Sequence, residues 1–453
     1  MKRLLSTLVV ITSATSLLAQ GLTVKTPSVA YVFDAAQTGE MTYQNGGSEL
    51  TIQGKTFPVA DILSMTVGAA TMADNTVAVD YSGASAQVTI AGNVARHLSV
   101  DVSGAHVRLV QDDQVTDEIT YTLSGMSADG SFTMDGELKA TVVLNGLTLT
   151  SGRGAPINIE NGKRIDIVVA DGTVNTFSDY ASGAQKACFF VNGHPEFSGS
   201  GTVNLTGNAR HAFRSDEYTK LKKSFTGTIN VLRAVSDGLH VEQYLEMNGG
   251  NVVIDHVGGD AIDVAMTNDP TDIHNGSVFI RGGSITATTS AADVKTLKSD
   301  SAVTVSGGTL YLKATGDGSK ALSSKQTLLV TGGRIEALSL GGVYMEDDPL
   351  LEAKPNAVKA DGVITISGGV FYAVSNNKAF NTDVTTRGFL IDGGSVMGIS
   401  PKANASVSGS QPSKTYTKVQ VKAGATVSYN GLSYTVPSTY SCSSAYVLVS
   451  PYQ

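Results

Sequence analysis

The stretch LYLKATGDGSKALSSKQTLLVTGGRIEAL, residues 310–338, contains the pattern that decides the fold. It begins and ends with short runs that alternate apolar and polar residues, and a polar corner and a Gly-Gly pair lie between these runs. The same order recurs in VSGGTLYL at 305–312 and in ISGGVFYAV at 366–374. Such alternation, rich in Val, Ile, Thr and Tyr, is typical of β-strands and not of helices. The chain therefore repeats one β-rich unit.

The spacing of the Gly-Gly pairs gives the length of this unit. Successive pairs are separated by 33, 25, 25, 36 and 25 residues, and they begin at Gly249, Gly282, Gly307, Gly332, Gly368 and Gly393. A regular period in this range indicates a solenoid. Glycine at a strand junction supplies the left-handed backbone angles that tight turns need. We predict an all-β fold, a right-handed parallel β-helix with coils of about 22–26 residues.

A second repeat marks one corner of each coil. Twelve residues before four of the Gly-Gly pairs lies a corner of the form polar–small–apolar–polar: DGLH at 237–240, KTLK at 295–298, KALS at 320–323 and NAVK at 356–359. Corners of the same form at another offset are HAFR at 211–214, DAID at 260–263 and KAFN at 378–381. The longer separations locate two insertions, residues 264–275 and 341–355, which we expect to leave the solenoid as loops.

The ends of the chain differ from the repeat. Residues 1–19 combine a positive start, an apolar run and a small residue before Gln20, which predicts a secretory signal peptide and a periplasmic, cell-surface or extracellular protein. Residues 20–75 lack the period and predict a small N-terminal β module. We assign residues 76–400 to the β-helix and residues 401–453 to a C-terminal β cap that covers its open end.

The composition excludes some partners. The formal net charge is −8, which argues against nucleic acid because phosphate binding needs a basic face. No apolar run after the signal peptide is long enough to cross a bilayer. The oligomeric state stays open at this point.

Several motifs together resemble one family, the secreted bacterial carbohydrate-binding β-helix proteins. The motifs are TYTLSG, VVLNGLTLTS, FSGSGTVNLTG, SDGLHV, GGDAIDV and KADGVITISGG. The resemblance covers roughly residues 121–400. The resemblance implies a right-handed β-helix that binds calcium and plant cell-wall polysaccharides, polygalacturonate or cellulose, without catalysis. The corner of that family reads Asp-Gly-Ile-Lys. This chain keeps the first half at Asp237 and Gly238, whereas lysines replace the acid at Lys295 and Lys320.

Stacked corners would bring carboxylates together. Equivalent residues of adjacent coils lie about one strand spacing apart, so Asp237 and Asp260 would be neighbours. Opposed like charges destabilise a sheet unless a cation bridges them or they point apart into water, and calcium prefers carboxylate and carbonyl oxygens. We predict a calcium site at Asp237, Asp260, Asp263 and Asp255. Solvated Asp side chains that close turns are the structural alternative.

Further along the chain the corners become basic. We predict that polysaccharide binds at Lys295, Lys320, Lys298, Lys359, Tyr244 and Tyr344. The lysines would form two adjacent columns, and a regular row of ammonium groups suits the repeated carboxylates of a polyuronate. The tyrosines would supply aromatic surface to sugar rings. The alternatives are solvating, edge-blocking lysines and tyrosines that pack on strand faces.

Two other functions stay open. Parallel β-helices also carry pectate lyases and polygalacturonases, and Arg281 or Arg334 could supply a base, but no lyase or hydrolase signature surrounds them. A structural or adhesive surface protein fits the repeat equally well. His240 and His256 have no acid or nucleophile at a motif spacing, and we interpret them as polar surface or corner residues.

Overall fold

The computed structural model describes residues 20–34, 38, 41–269, 271–345 and 351–452. The predicted signal peptide, residues 1–19, lies outside these residues. The described chain divides into two compact units. The smaller unit contains the residues up to Val77 together with Val88–Arg96, and the larger unit contains Ala78–Gln87 and His97–Gln453.

The smaller unit is built on antiparallel pairs. The strand Gly21–Lys25 pairs with Val29–Asp34 on one side and with Ser64–Gly68 on the other. A separate three-stranded meander consists of Thr42–Gln44, Glu49–Ile52 and Lys55–Pro58. The ring of Phe57 packs edge-on against Tyr31 and Phe33, at centroid distances of 5.0 and 6.2 Å. These aromatic contacts form the unit's own core.

The larger unit is solenoid-like, with strands that pair in three parallel columns, here called the first, second and third faces. The first face contains Ile119–Ser127, Ala140–Thr150, Arg164–Val169, His194–Gly199, Thr219–Phe225, Tyr244–Met247, Ser277–Ile280, Val303–Val305, Leu328–Val330, Ile364–Ser375, Phe389–Ser400 and Val407–Ser408. The second face continues from the long strands of the first through Val174–Ser178, Thr202–Gly207, Thr228–Ala234, Asn251–Ile254, Ser284–Thr289, Thr309–Ala314 and Arg334–Ser339.

The third face carries the corners that the sequence repeat marks. Its strands are Leu98–Ser103, Ala105–Gln111, Gly130–Asp135, Ile157–Ile159, Ala187–Val191, His211–Ser215, Leu239–Glu242, Ile262–Ala265, Lys295–Ser299, Lys320–Ser324, Asn356–Ala360 and Lys378–Thr382. All of these strands are parallel to their neighbours except Leu98–Ser103, which is antiparallel to Ala105–Gln111.

The core of the solenoid is a set of stacked apolar rows. On the third face one row runs through Phe132, Ile157, Phe189, Phe213, Leu239, Ile262, Leu297, Leu322, Val358 and Phe380. Every member of this row is at most 2% exposed. Burial of each such side chain contributes about 1.5–3 kcal/mol, so the coils are held together chiefly by this stacking.

The Gly-Gly pairs form the turns between the first and second faces. The second glycine of each pair has a positive φ, and Gly308 and Gly333 have values of 79° and 82°. A Cβ atom at Gly308 would lie 2.9 Å from the carbonyl oxygen of Gly283 in the preceding coil. The turn therefore needs glycine for its backbone angle and also for its close approach to the neighbouring coil.

The two predicted insertions interrupt the coils as loops. The first lies between Ile262–Ala265 and Ser277–Ile280. The second contains the short antiparallel pair Tyr344–Met345 and Glu352–Ala353. Between the two insertions, the step between paired residues is 25, as from Val278 to Val303.

Antiparallel strands follow the last coil. Cys442–Ser450 pairs antiparallel with Phe389–Ser400 and with Lys414–Val421. A hairpin of Thr426–Tyr429 and Leu432–Thr435 packs beside them. The remaining strands are Thr76–Ser82 and Ser85–Ala91, and the 3₁₀-helices are Asn45–Gly47, Val59–Asp61 and Ala95–His97.

The described residues contain no α-helix, and thus no helix that could span a membrane. The prediction of an all-β protein with extensive parallel sheet is confirmed.

Candidate functional site

The third face presents one unbroken outward row of side chains. Register pairs connect Arg108, Thr133, Asn158, Phe190, Arg214, His240, Asp263, Lys298, Ser323, Lys359 and Asn381 in this order. Neighbours in this row are separated by about one strand spacing. We call this set the outward row.

The predicted corner residues form a second row beside it. The corner row consists of His211, Asp237, Asp260, Lys295, Lys320, Asn356 and Lys378. The backbone of Asp260 donates its N–H to the Asp237 carboxylate at 2.9 Å, and the backbone of Lys295 donates to the Asp260 carboxylate at 2.6 Å. The structure thus places Asp237 and Asp260 in adjacent coils.

A buried cluster surrounds Asp237. Its Oδ2 atom lies 3.1 Å from the Nδ1 atom of His211 and 3.1 Å from the Nδ1 atom of His240. The two imidazole rings stack with centroids 4.5 Å apart. The exposed fractions of the side chains of His211, Asp237 and His240 are 3%, 12% and 14%. Two imidazoles from adjacent coils therefore converge on one carboxylate oxygen.

The cluster changes the acidity of its members. Burial alone would raise the pKa of Asp237, but hydrogen bonds with His211 and His240 outweigh it and hold that pKa well below its usual range. Burial opposes the charge of His240, yet its contacts with Asp237 and Asp263 raise its pKa to about 9. Burial lowers the pKa of His211. His240 is therefore the cationic member of the cluster at neutral pH.

Asp263 extends the cluster along the outward row. Its Oδ2 atom lies 3.1 Å from His240 Nδ1, and its Oδ1 atom accepts a hydrogen bond of 2.8 Å from Lys298. Burial tends to raise the pKa of Asp263, and these two partners bring it below the usual value. Burial raises the pKa of Asp260 to about 6, and the charge of Asp263 adds to this.

Asp255 lies apart from this cluster. Its side chain is 56% exposed, its Oδ1 atom accepts a hydrogen bond from the backbone of His256, and its other oxygen faces the His256 imidazole at 3.4 Å. The structure therefore brings together three of the four residues predicted to bind calcium.

The residues around Asp237 do not fit a calcium ion. Calcium takes six to eight oxygen ligands, whereas this carboxylate faces two imidazole nitrogens and a backbone N–H. Lys298 and His240 already occupy both oxygens of Asp263. The donor set is mixed nitrogen and oxygen, which suits other cations.

The four predicted sugar-binding lysines lie where the repeat places them. Lys295 pairs with Lys320 in register, and Lys298 and Lys359 belong to the outward row. Each ammonium group also faces a carboxylate. Lys295 and Lys320 share Asp293 at 3.5 Å each.

The other two lysines have closer acidic partners. Lys298 contacts Asp263, and Lys359 lies 2.7 Å from Asp361 and 2.6 Å from Asp383. The four predicted lysines, here called the lysine strip, therefore have their positive charge largely compensated within the protein.

The two predicted tyrosines lie in different settings. Tyr244 stacks on Tyr218 with centroids 4.7 Å apart, and His274 meets its ring edge-on. Tyr218 therefore covers one face of the Tyr244 ring. Tyr344 is 38% exposed in the second insertion.

A groove opens at the end of the third face that is formed by its earliest strands in the chain. It consists of two cavities of about 570 and 430 Å³ that share His106 and Arg153. Thr133, Asn158 and Phe190 of the outward row line the larger cavity. This volume lies in the range of small-ligand sites, and the lining mixes hydroxyl, amide, charged and aromatic groups.

A hydrogen-bonded turn holds Arg153 between the two cavities. The hydroxyl of Ser151 accepts the backbone N–H groups of Arg153 and Gly154 at 3.3 Å each, and Gly152 donates to Asp129 at 2.9 Å. Across the part of the chain that the structure describes, the guanidinium group of Arg153 forms no ion pair. The groove therefore contains a guanidinium group without an ion pair among these residues, although the carboxylates of Asp129 and Glu160 also line the two cavities. The hydrogen bond from Gly152 lowers the pKa of Asp129, and the charge of Arg153 contributes to this.

The sequence interpretation missed His211 and the groove. His211 opens the corner HAFR, which has the form of the other corners, so its place beside Asp237 was available from the repeat. His106 and Arg153 belong to no repeated motif, and no signal in the sequence distinguishes them.

Comparisons with known proteins agree on one family. The family model described as a carbohydrate-binding domain-containing protein matches residues 111–400. A curated protein of that description from Acetivibrio thermocellus is 30% identical over 118 residues, which are 24% of this chain and 41% of the relative. The chain thus spans about two fifths of the length of this relative.

One solved structure is also similar. It is a polysaccharide lyase-like protein from C. thermocellum, determined as a gadolinium derivative. It shares 23% identity with this chain, covers 59% of it and 99% of its own length, and has a TM-score of 0.43.

Proposed function

Since the chain belongs to the family of carbohydrate-binding domain-containing proteins, we propose that it is a secreted, non-catalytic polysaccharide-binding protein whose groove at His106 and Arg153 holds the glycan. In this proposal the coils wind in the right-handed sense predicted from the sequence. The ligand is an acidic plant cell-wall polysaccharide of the polygalacturonate type.

The observation that supports the proposal is the guanidinium group of Arg153, which lines both cavities and forms no ion pair among the described residues. A polymer that occupied both cavities would pass this guanidinium group. Arginine binds carboxylates through two parallel hydrogen bonds, and uronate residues carry one carboxylate each. The hydroxyl and amide groups of Ser131, Thr133 and Asn158 line the larger cavity and can exchange hydrogen bonds with sugar hydroxyls.

The predicted lysine strip is a weaker support for the same function. Its ammonium groups belong to the same face, so a long chain bound in the groove could continue along the outward row. Their acidic partners reduce the attraction that they offer to a polyuronate. We therefore expect the groove to contribute more to affinity than the strip.

The test is retention of the mature protein on immobilised polygalacturonate, with calcium and then with a chelator. We expect retention without chain shortening and without new unsaturated ends. Replacement Arg153→Gln should weaken binding about tenfold or more, because a hydrogen bond to a charged group contributes about 1.5–3 kcal/mol. Methyl-esterified pectin lacks the free carboxylates, so its binding to the natural protein should be weak. It should be about as weak as the binding of polygalacturonate to Arg153→Gln. The chelator arm measures the calcium assistance that the sequence predicts.

A matched control is Arg233→Gln, an exposed arginine on the second face, which should leave retention unchanged. Lys359→Met tests the strip and should reduce retention less than Arg153→Gln does. Greater loss with Lys359→Met would move the site to the outward row. Unsaturated ends would show a lyase, and absence of retention on any glycan would contradict the proposed function.

A further inference from the structure

The cluster around Asp237 has the geometry of a metal site. We propose that His211 Nδ1, Asp237 Oδ2 and His240 Nδ1 bind one divalent transition-metal cation of the zinc type. This proposal is independent of glycan binding, because the cluster and the groove are built from different residues of the third face.

The first argument is distance. Zinc bonds to imidazole nitrogen and carboxylate oxygen are about 2.0–2.1 Å long, which places two ligand atoms of a tetrahedron about 3.3–3.4 Å apart. The carboxylate oxygen of Asp237 lies 3.1 Å from each imidazole nitrogen. All three ligand atoms lie within 4.8 Å of one another. The two distances to Asp237 are already close to the required value, and the two imidazole nitrogens would have to lie about 3.3–3.4 Å from each other in the loaded site.

The second argument is that hydrogen bonds alone satisfy these atoms incompletely. His240 Nδ1 carries one hydrogen at most, yet it faces an oxygen of Asp237 and an oxygen of Asp263 at 3.1 Å each. His211 Nδ1 faces the Asp237 carboxylate and also the backbone N–H of Asp237 at 3.3 Å. One nitrogen cannot donate to the first and accept from the second. A divalent cation between the nitrogens and the carboxylate satisfies all three ligand atoms, and its binding releases the proton that His240 Nδ1 otherwise carries to the solvent.

The third argument is preorganisation. His211 is held by ring stacking on His240 and by its contact with Asp237, and its Nε2 atom is buried without a hydrogen-bond partner among the described residues. Among the polar contacts of this ring, the one between Nδ1 and Asp237 therefore sets its position. The Asp260 N–H binds the other oxygen of Asp237 and keeps that carboxylate in place.

The donor chemistry selects the class of cation. Two imidazoles and one carboxylate are the ligands of open zinc sites, and imidazole also suits copper and nickel. Calcium prefers oxygen ligands throughout. Asp263 Oδ2, 3.1 Å from His240 Nδ1, or a water molecule could take the fourth position. The cation would connect two coils, so binding should stabilise their stacking.

The experiment uses the full mature protein, with any purification tag removed and with metals stripped by a chelator. Calorimetric titration with Zn²⁺ should show one site with micromolar affinity or better. The midpoint of thermal unfolding should rise by a few degrees at a hundredfold excess of Zn²⁺ over its dissociation constant. The same concentration of Ca²⁺ should leave the midpoint unchanged.

The variants His240→Gln and Asp237→Asn should each lose the calorimetric site and the thermal shift. The matched control is His256→Gln, which removes an exposed histidine that also faces an aspartate and should bind Zn²⁺ normally. His240 is the more exposed of the two imidazoles, so its variant stays informative if Asp237→Asn fails to fold. Equal Zn²⁺ binding by the natural protein and His240→Gln, an equal effect of Ca²⁺, or no Zn²⁺ binding would overturn the proposal.

Discussion

The two ends of the third face share a backbone and differ in their surface. At the end with the groove, the outward row borders open cavities, and Arg153 forms no ion pair among the described residues. At the other end, from Arg214 to Asn381, ion pairs between neighbouring coils compensate the charged members of the row. Arg214 pairs with Glu242, and Lys298 pairs with Asp263. A regular row of charged side chains is thus a feature of coil stacking, whereas the ligand-sized space lies beside the turn that carries Arg153.

The same row of buried apolar side chains lies beneath both ends of the third face. Leu297→Ala at one end and Ile157→Ala at the other should each lower the free energy of unfolding by about 2–5 kcal/mol, since both side chains are fully buried and leave cavities. Equilibrium denaturation measures both values. A large loss at one site and almost none at the other would show that only one end is closely packed.

A smaller difference should appear in the surface ion pairs. Lys298→Met leaves Asp263, 10% exposed, without one of its two partners, and should cost about 1.5–3 kcal/mol. Lys186→Met at the groove removes an ammonium group that is 47% exposed and should cost about 0–1 kcal/mol. The same denaturation experiment compares them. Equal costs would contradict the distinction between a compensated row and an open groove.

The smallest effect concerns Lys320. Burial, and the neighbouring charge of Lys295, lower its pKa from 10.5. The unfolded chain therefore binds more protons between the lowered pKa and 10.5, so stability should rise with pH across that window. At neutral pH, Lys320→Met should be slightly more stable than the natural protein, and this advantage should shrink as the pH approaches 10.5.

The check is a series of unfolding midpoints from neutral to alkaline pH. Lys325→Met, which removes a lysine whose side chain is 59% exposed, is the matched control. If the stability advantage of Lys320→Met grew with pH, the prediction that the folded state lowers the pKa of Lys320 would be wrong.

The repeat in the sequence predicts positions well because coil stacking is local and periodic. The 25-residue step from Gly307 to Gly332 corresponds to the register of the strands, and the corner form places Asp237 beside Asp260. Both follow from short-range turn chemistry and strand alternation. The all-β class and the two insertions were predictable for the same reason.

The partners of the charged groups were not predictable in this way. The carboxylates that face Lys320 and Lys359 come from Asp293, Asp361 and Asp383, which lie in turns outside the repeated corner. Arg153 forms no such ion pair with any residue that the structure describes, which only the assembled coils reveal. Asp255 is near Asp260 in the sequence, but its side chain points to solvent and His256.

The antiparallel end of the solenoid bears on aggregation. A stack of parallel coils could grow like a fibril if its last strand offered free backbone groups to another molecule. Here Cys442–Ser450 covers part of that strand, and Lys414–Val421 becomes the new edge. That edge carries Lys414 and Lys418, its register shifts twice, and Lys418 has a φ of 58°. Charge and irregular backbone make it a poor template for a further strand, so the repeat can end without seeding a fibril.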